Sequence, residues 1–408
     1  MLGDTIRKIR KQKKLTLEAL AGTELTKGML SLIENNKAKP SMESLAYIAK
    51  RLEVEVTDLL EEISTQELRE TLEKAESIYN QKKETTPDKY QQLLTLIEPL
   101  IKKLTQGYES ARLLDLYSRS LYQEERSGWE KFCEQAAVMY DNMNLTANRA
   151  QIAIFRSQVK FIQHDYRKAL EILVTERAAI ESHHAYIDPM TTVDLDYTEA
   201  VLHFAVGDDI AATETMEKAI KFSKKHKIFY RTDDLYRLST GHAMMIGDSE
   251  RRELYLRKLK QYGEFADDIL SILVHDLIVA MTLNTEKQEY TKALEIIDDY
   301  LADPAGKEFV EPLYIIEKGK SLYGLGEYKD GIHHFEKVET PADTHHPFDL
   351  ALIYIRYSYK ALCHSELGEI EDALQSAKIA VEKFEGLPAS PYKEFAFDTY
   401  QNIKNKES

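Results

Sequence analysis

A chain of 408 residues with 54 Lys and Arg against 69 Asp and Glu is too acidic, at −15, to bind nucleic acid or an anionic membrane over its whole surface, and too long for one small domain. Its two cysteines, Cys133 and Cys363, lie far apart in sequence and support neither a disulfide framework nor a thiolate zinc site. No uncharged apolar run reaches the roughly 18 residues of a membrane span, and Arg7, Lys8, Arg10 and Lys11 interrupt any signal-peptide core, so a cytoplasmic protein with no membrane partner is expected.

Charge is unevenly spread. Residues 1–52 hold 11 Lys and Arg against 5 Asp and Glu, whereas residues 53–408 hold 43 against 64. A basic head would localise phosphate binding, and an acidic body would keep DNA off the remainder. In the head, Ile6, Ile9, Leu15, Leu17 and Leu20 fall at helical spacings, and Thr16 is placed to cap a short helix that ends near Gly22. Residues 25–41 follow as L-T-K-G-M-L-S-L-I-E-N-N-K-A-K-P-S, with Thr26 as N-cap, Leu30 and Ile33 as the buried pair, and Pro40 after the polar exit. Ser41 caps a further amphipathic helix carrying Ser44, Leu45, Ile48, Ala49 and Leu52, and Val54, Val56, Leu59 and Leu60 close a small core.

Leu15-Thr16, Leu20-Ala21, Leu30-Ser31, Ile33-Glu34, Pro40-Ser41, Leu45, Ala49 and Leu59 resemble the pattern of Cro/repressor-type helix-turn-helix domains, which places a DNA-binding domain at residues 1–62. Two features depart from it: Leu17 stands where a Gln is usual, and the segment between Ala21 and Leu30 is one residue short. On a helix from Lys27, the stripe opposite Leu30 and Ile33 is Lys27, Gly28, Ser31 and Asn35, the candidate readers of base edges in operator DNA. Arg7, Arg10, Lys11, Asn36, Lys37 and Lys39 are candidate phosphate contacts, which position without specifying sequence.

Residues 63–87 read as a connecting helix, capped by Ser64 with Glu67, and an exposed polar loop over 81–87. From residue 88 to 408 a motif recurs: a turn-favouring residue, an acidic or polar one, often an aromatic, and a small residue five positions after the first. It stands at Asp88, Ser127, His164, Gly207, Gly247, Gln288, Gly326 and Gly368, in steps of 37 to 43 residues, with Ala169, Ala212, Ala293, Gly331 and Ala373 as small residues and Ala219 and Ala380 as further close-packing positions. Such a period means stacked helix pairs, and with only 16 Gly and 10 Pro the whole chain is expected to be all-α.

These repeats resemble a lengthened tetratricopeptide repeat, about eight in number, forming a superhelix with a concave groove. Joined to the N-terminal domain, they resemble the peptide-pheromone receptors of Gram-positive bacteria, the Rap/Rgg/NprR/PlcR/PrgX family, nearest to its NprR-like members. The resemblance implies a quorum-sensing transcription regulator: a short signalling peptide in the groove changes the homo-oligomer, a dimer or higher, and with it operator binding. Some relatives instead bind or dephosphorylate a sporulation response regulator, and a phage or plasmid repressor of the same fold would read alike.

A peptide needs side-chain amides for its backbone and a cation for its carboxylate. Positions 13, 10, 6 and 3 before each turn residue nominate Gln151, Gln158, Asp194, Tyr197, Asp234, Arg237 and His275, joined by Arg119, Arg126 and Asn148 on nearby helices. The adjacent pairs His183-His184, His333-His334 and His345-His346 lack the i,i+4 geometry of a metal site and read as solvated or loop histidines. No nucleophile–base constellation or phosphate loop is present, so the chain is expected to be no enzyme and to need no cofactor.

Overall fold

The computed structural model describes residues 2–56, 59, 65–302 and 310–407, and every described element is helical. The chain divides into two compact units, Met1–Ile152 and Ala153–Ser408.

The first unit opens with α1 (Leu2–Gln12), α2 (Leu17–Ala21), α3 (Lys27–Glu34) and α4 (Met42–Leu52). The expected caps form: Thr16 Oγ1 accepts from Ala19 N at 3.0 Å, Thr26 Oγ1 from Met29 N at 3.1 Å, and Ser41 Oγ from Ser44 N at 3.1 Å. Ile6, Leu20, Leu30, Ile33, Leu45, Ile48, Leu52 and Leu59 are buried together as the core of this bundle. Leu60, expected in that core, and Ser64, expected as a cap, lie outside the described residues. Gly22, in the α2–α3 turn, has φ +58° and ψ −136°, and a side chain there would collide with the Tyr47 hydroxyl. Only glycine fits this short turn.

Next come α5 (Thr65–Tyr79), α6 (Lys89–Ile97), a short 3-10 turn (Glu98–Lys103), α7 (Gly107–Gln123) and α8 (Trp129–Asn142). The polar stretch between α5 and α6 is tied down by Lys89, whose buried ammonium donates to the carbonyls of Tyr79 at 3.0 Å and Gln81 at 2.6 Å. Those carbonyls end α5, where a cation satisfies otherwise unpaired acceptors. The next helix, α9 (Thr146–Ile162), begins in the first unit and ends in the second.

The second unit continues as helix pairs: α10 (Tyr166–His183), α11 (Pro189–Val206) with α12 (Asp209–His226), α13 (Thr232–Ile246) with α14 (Ser249–Ala266), α15 (Ile269–Thr282) with α16 (Tyr290–Ala302), α17 (Glu311–Gly324) with α18 (Tyr328–Glu336), α19 (Pro347–Glu366) with α20 (Ile370–Glu385), and α21 (Pro391–Glu407). The turn residues His164, Gly207, Gly247, Gln288, Gly326 and Gly368 all have left-handed backbones, with φ between 54° and 81°. After three of these turns an aspartate, Asp165, Asp208 or Asp248, caps the next helix. Ala169, Ala212, Ala293 and Ala373, five residues after their turns, are fully buried where the second helix crosses the first. Asp88 departs from the pattern, since its φ is −94°.

The first helices of successive pairs, α11, α13, α15, α17, α19 and α21, also pack on one another in order, which makes them one continuous layer. A π-helical turn at Leu283–Lys287 extends α15. Asn284 in this turn is buried and donates to Glu317 Oε2 at 2.9 Å and to the Glu317 carbonyl at 3.0 Å, while accepting from Ser321 Oγ at 2.8 Å. Lys320 completes the cluster through Glu317 Oε1 at 2.6 Å. The buried charge pair is thus hydrogen-bonded on its remaining oxygen, as a buried ion pair requires.

Candidate functional sites

In the first unit α3 turns Leu30, Ile33 and Glu34 inward, leaving Lys27, Gly28 and Asn35 exposed and Ser31 half-buried. Space around Gly28 is open, so another surface can approach the backbone there. Asn35 is held by its neighbours: its Nδ2 donates to the Ser31 carbonyl at 2.7 Å and its Oδ1 accepts from Arg7. Lys27 pairs with Glu18 at the surface, a contact that must open before Lys27 can reach a base. Lys11, Lys37 and Lys39 are exposed on the same small domain.

Two of the expected phosphate contacts, Arg10 and Asn36, also make bonds that hold the domain together. Arg10 forks onto the buried Glu34 carboxylate, at 2.6 Å through Nε and 2.8 Å through Nη2, and donates to the Leu15 carbonyl at 2.9 Å. Its guanidinium joins α1 to α3 and is mostly buried. Asn36, at φ 58°, accepts from Gly3 N at 2.9 Å and donates to Asp4 at 3.0 Å, closing the α3 exit against α1. Leu32, which the sequence pattern did not single out, lies 46% exposed on α3 between Ser31 and Asn35. Its signal was an apolar residue outside the Leu30/Ile33 spacing.

The second unit holds a cavity of about 530 Å³ that is open to solvent on one side. Its wall is the layer of first helices. Tyr197, Val201 and Phe204 on α11 stand 10, 6 and 3 residues before Gly207, and Asp234, Arg237, Gly241 and Met244 stand 13, 10, 6 and 3 before Gly247. Of the sequence candidates, Tyr197, Asp234 and Arg237 therefore meet in one cavity. Gly241 is required there, because an added side chain would strike the Phe348 ring.

On α15 the register moves by one. Val274, Leu277, Ile278 and Met281 line the cavity, 14, 11, 10 and 7 residues before Gln288, and the expected His275 is instead paired with Asp276 at 2.7 Å. The π-turn inserts one residue ahead of Gln288, which rotates every earlier position relative to the turn. The run Ile269–Lys287 has a mean hydropathy of 1.4, enough by length and composition to cross a membrane. Here its apolar residues divide between core packing and the cavity wall.

Asp194, also expected in the groove, is buried outside the lining and accepts from Arg231 Nε at 3.0 Å. Gln158 is exposed and does not line the cavity. Arg119, Arg126, Asn148 and Gln151 belong to the first unit. There Arg119 binds Asp115 at 2.6 Å and the Gln151 carbonyl at 3.1 Å, and Arg126 donates to Gln91 at 2.9 Å.

The segment before α19 forms another wall. His346 is buried, contrary to the solvated reading, and is uncharged: Nδ1 accepts from Phe348 N at 3.1 Å, Nε2 lies 3.3 Å from the Val201 carbonyl, and burial lowers its pKa to about 4. The Tyr166 hydroxyl donates to the His345 carbonyl at 2.8 Å. Asp349, in the first turn of α19, lines the cavity with its side chain accessible from it, and the surrounding helices displace enough water to push its carboxyl up to about 6, with Arg237 opposing.

The helix-turn-helix family model matches residues 6–59. Comparison with curated proteins gives no match. Among solved structures the chain is similar to PlcR of Bacillus thuringiensis in complex with the peptide PapR7 and DNA, at 16% identity over 65% of this chain and 95% of that one, TM-score 0.34. It is similar to apo ComR, a competence regulator from Streptococcus vestibularis, at 19% identity over 67% and 95%, TM-score 0.36. The PrgX/iCF10 complex matches at 13% identity over 84% and 99%, TM-score 0.29.

Proposed function

We propose that the chain is a ligand-controlled transcription regulator of the peptide-pheromone receptor family, in which a short peptide enters the second unit's cavity and alters operator binding by the helix-turn-helix domain. One observation carries this reading: a helix-turn-helix domain with an exposed α3 face and a largely apolar cavity with a few polar groups occur in one chain. Lys27, Gly28, Ser31 and Asn35 would read base edges, with Leu32 beside them, and Lys11, Lys37, Lys39 and Arg7 would meet phosphates. Two copies presenting α3 about 34 Å apart would engage a two-fold operator.

The test is to select operators from random DNA with the full chain, then screen pooled apolar peptides for one that changes retention and oligomer size. A selected operator and at least one peptide that changes both are expected. Sequence-independent DNA binding that no peptide alters would overturn the proposal.

A further inference from the structure

A smaller pocket of about 270 Å³ shares no lining residue with the cavity. It opens to solvent on one side and is built by the end of α12, the turn that follows and the start of α13. Ile220, Ile228 and Leu235 give it an apolar floor, and Phe229 and Tyr236 add aromatic surface. Lys224 and Lys227 line it as well. They belong to a basic stretch in an otherwise acidic body: residues 218–227 hold Lys218, Lys221, Lys224, Lys225 and Lys227 and no Asp or Glu.

Lysines at the end of a helix answer its free carbonyls and need no ligand. Lys258 differs, because it stands in the middle of α14. It is half-buried, with its ammonium 5.8 Å from the centre of the Tyr236 ring and 5.7 Å from that of Tyr255, beside the Lys224 ammonium. Burial and this like charge lower its pKa to about 8. Among the described residues, none of Lys224, Lys227 and Lys258 has a carboxylate partner. Independently of charge, Ser223 lines the pocket at 4% exposure, and its hydroxyl has no hydrogen-bond partner among the described residues. A buried hydroxyl left unbonded is costly, and an acceptor placed in the pocket removes that cost. Two adjacent ammonium groups suit a doubly charged anion better than a single carboxylate.

We propose that this pocket binds a phosphate monoester carrying a small apolar group. The phosphate lies between Lys224 and Lys258 and accepts from Ser223, and the apolar group rests on Ile220, Ile228 and Leu235. The site goes beyond the peptide reading and does not depend on it.

The probes are phenyl phosphate, inorganic phosphate, phenylacetate and benzyl alcohol, titrated calorimetrically into the full chain at pH 7.5, where a phosphate monoester is mostly doubly charged. Phenyl phosphate is expected to bind at least tenfold more tightly than each of the others. Lys258→Gln should weaken it tenfold or more and Ser223→Ala threefold or more, while Lys258→Arg, which keeps the charge, stays within threefold of wild type. Lys260→Gln removes the same charge from an exposed position on α14 and should change the affinity less than twofold. Equal losses in Lys258→Gln and Lys260→Gln would reduce the binding to general charge attraction and overturn the assignment. Inorganic phosphate or phenylacetate binding as tightly as phenyl phosphate would overturn it too, as would no binding of phenyl phosphate at millimolar concentration.

Discussion

His346 and Val201, 145 residues apart in sequence, meet through His346 Nε2 and the Val201 carbonyl at 3.3 Å. With Tyr166 hydrogen-bonded to His345, this contact fastens the segment before α19 to the beginning of the second unit and closes one side of the cavity. His346→Ala removes the bridge and the cap on Phe348 N, and should destabilise the second unit by about 1–3 kcal/mol in urea unfolding. The histidine pKa is lowered to about 4, so its contribution is complete above the usual value of 6.5 and is lost as pH falls towards 4. The difference between wild type and His346→Ala should therefore shrink across that window.

Asp349 acts in the opposite sense over nearly the same range. Its carboxyl rises from 3.8 to about 6, so the ligand-free fold gains stability as pH falls through 6 and is penalised above it. Asp349→Asn should raise the ligand-free melting temperature at pH 7.5 only slightly, because the carboxylate is accessible to water and its penalty is screened. The gain should vanish near pH 4. A variant less stable than wild type at pH 7.5 would show that the carboxylate has a favourable partner in solution.

Arg10 and Glu34 separate folding from reading in the first unit. Arg10→Ala strips both fork hydrogen bonds from the buried Glu34 carboxylate and leaves it only Arg7 at 3.6 Å, and should cost about 3 kcal/mol in domain stability before any DNA is present. Arg10→Lys should recover only part of this, because an ammonium cannot reproduce the fork. Thermal unfolding of the two variants without DNA checks both values.

Lys27→Ala should weaken operator binding by about 1–3 kcal/mol and leave both thermal stability and cavity binding intact, because Lys27 is exposed and its pair with Glu18 lies at the surface. Leu32→Ser should relax discrimination at one A·T position without altering the salt dependence of binding. Operator selection repeated with each variant distinguishes these outcomes.

Features set by neighbouring residues were legible in the sequence. The caps at Thr16, Thr26 and Ser41 and the left-handed turns at Gly207 and Gly326 follow from residue types at fixed offsets. The cavity was legible only in part. Tyr197, Asp234 and Arg237 follow the repeat register, but His275 was misplaced because the π-turn is fixed by Asn284, Glu317 and Ser321, which come together only in the fold. Arg10 read as a surface cation because its partner lies 24 residues away, and His346 read as a loop residue because Val201 lies 145 away. Asp349 had no sequence signal, since the cavity it lines is built by helices distant in the chain.

Control of the DNA-binding domain by the cavity is tested most directly by reciprocal titration of the full chain. Operator affinity is measured by fluorescence anisotropy with and without a saturating peptide from the screen, and peptide affinity with and without saturating operator. Occupancy of the cavity should change operator affinity by tenfold or more, and operator should change peptide affinity by the same factor, as linkage requires. A peptide that binds the cavity tightly while both affinities stay unchanged would show that the two units are not coupled.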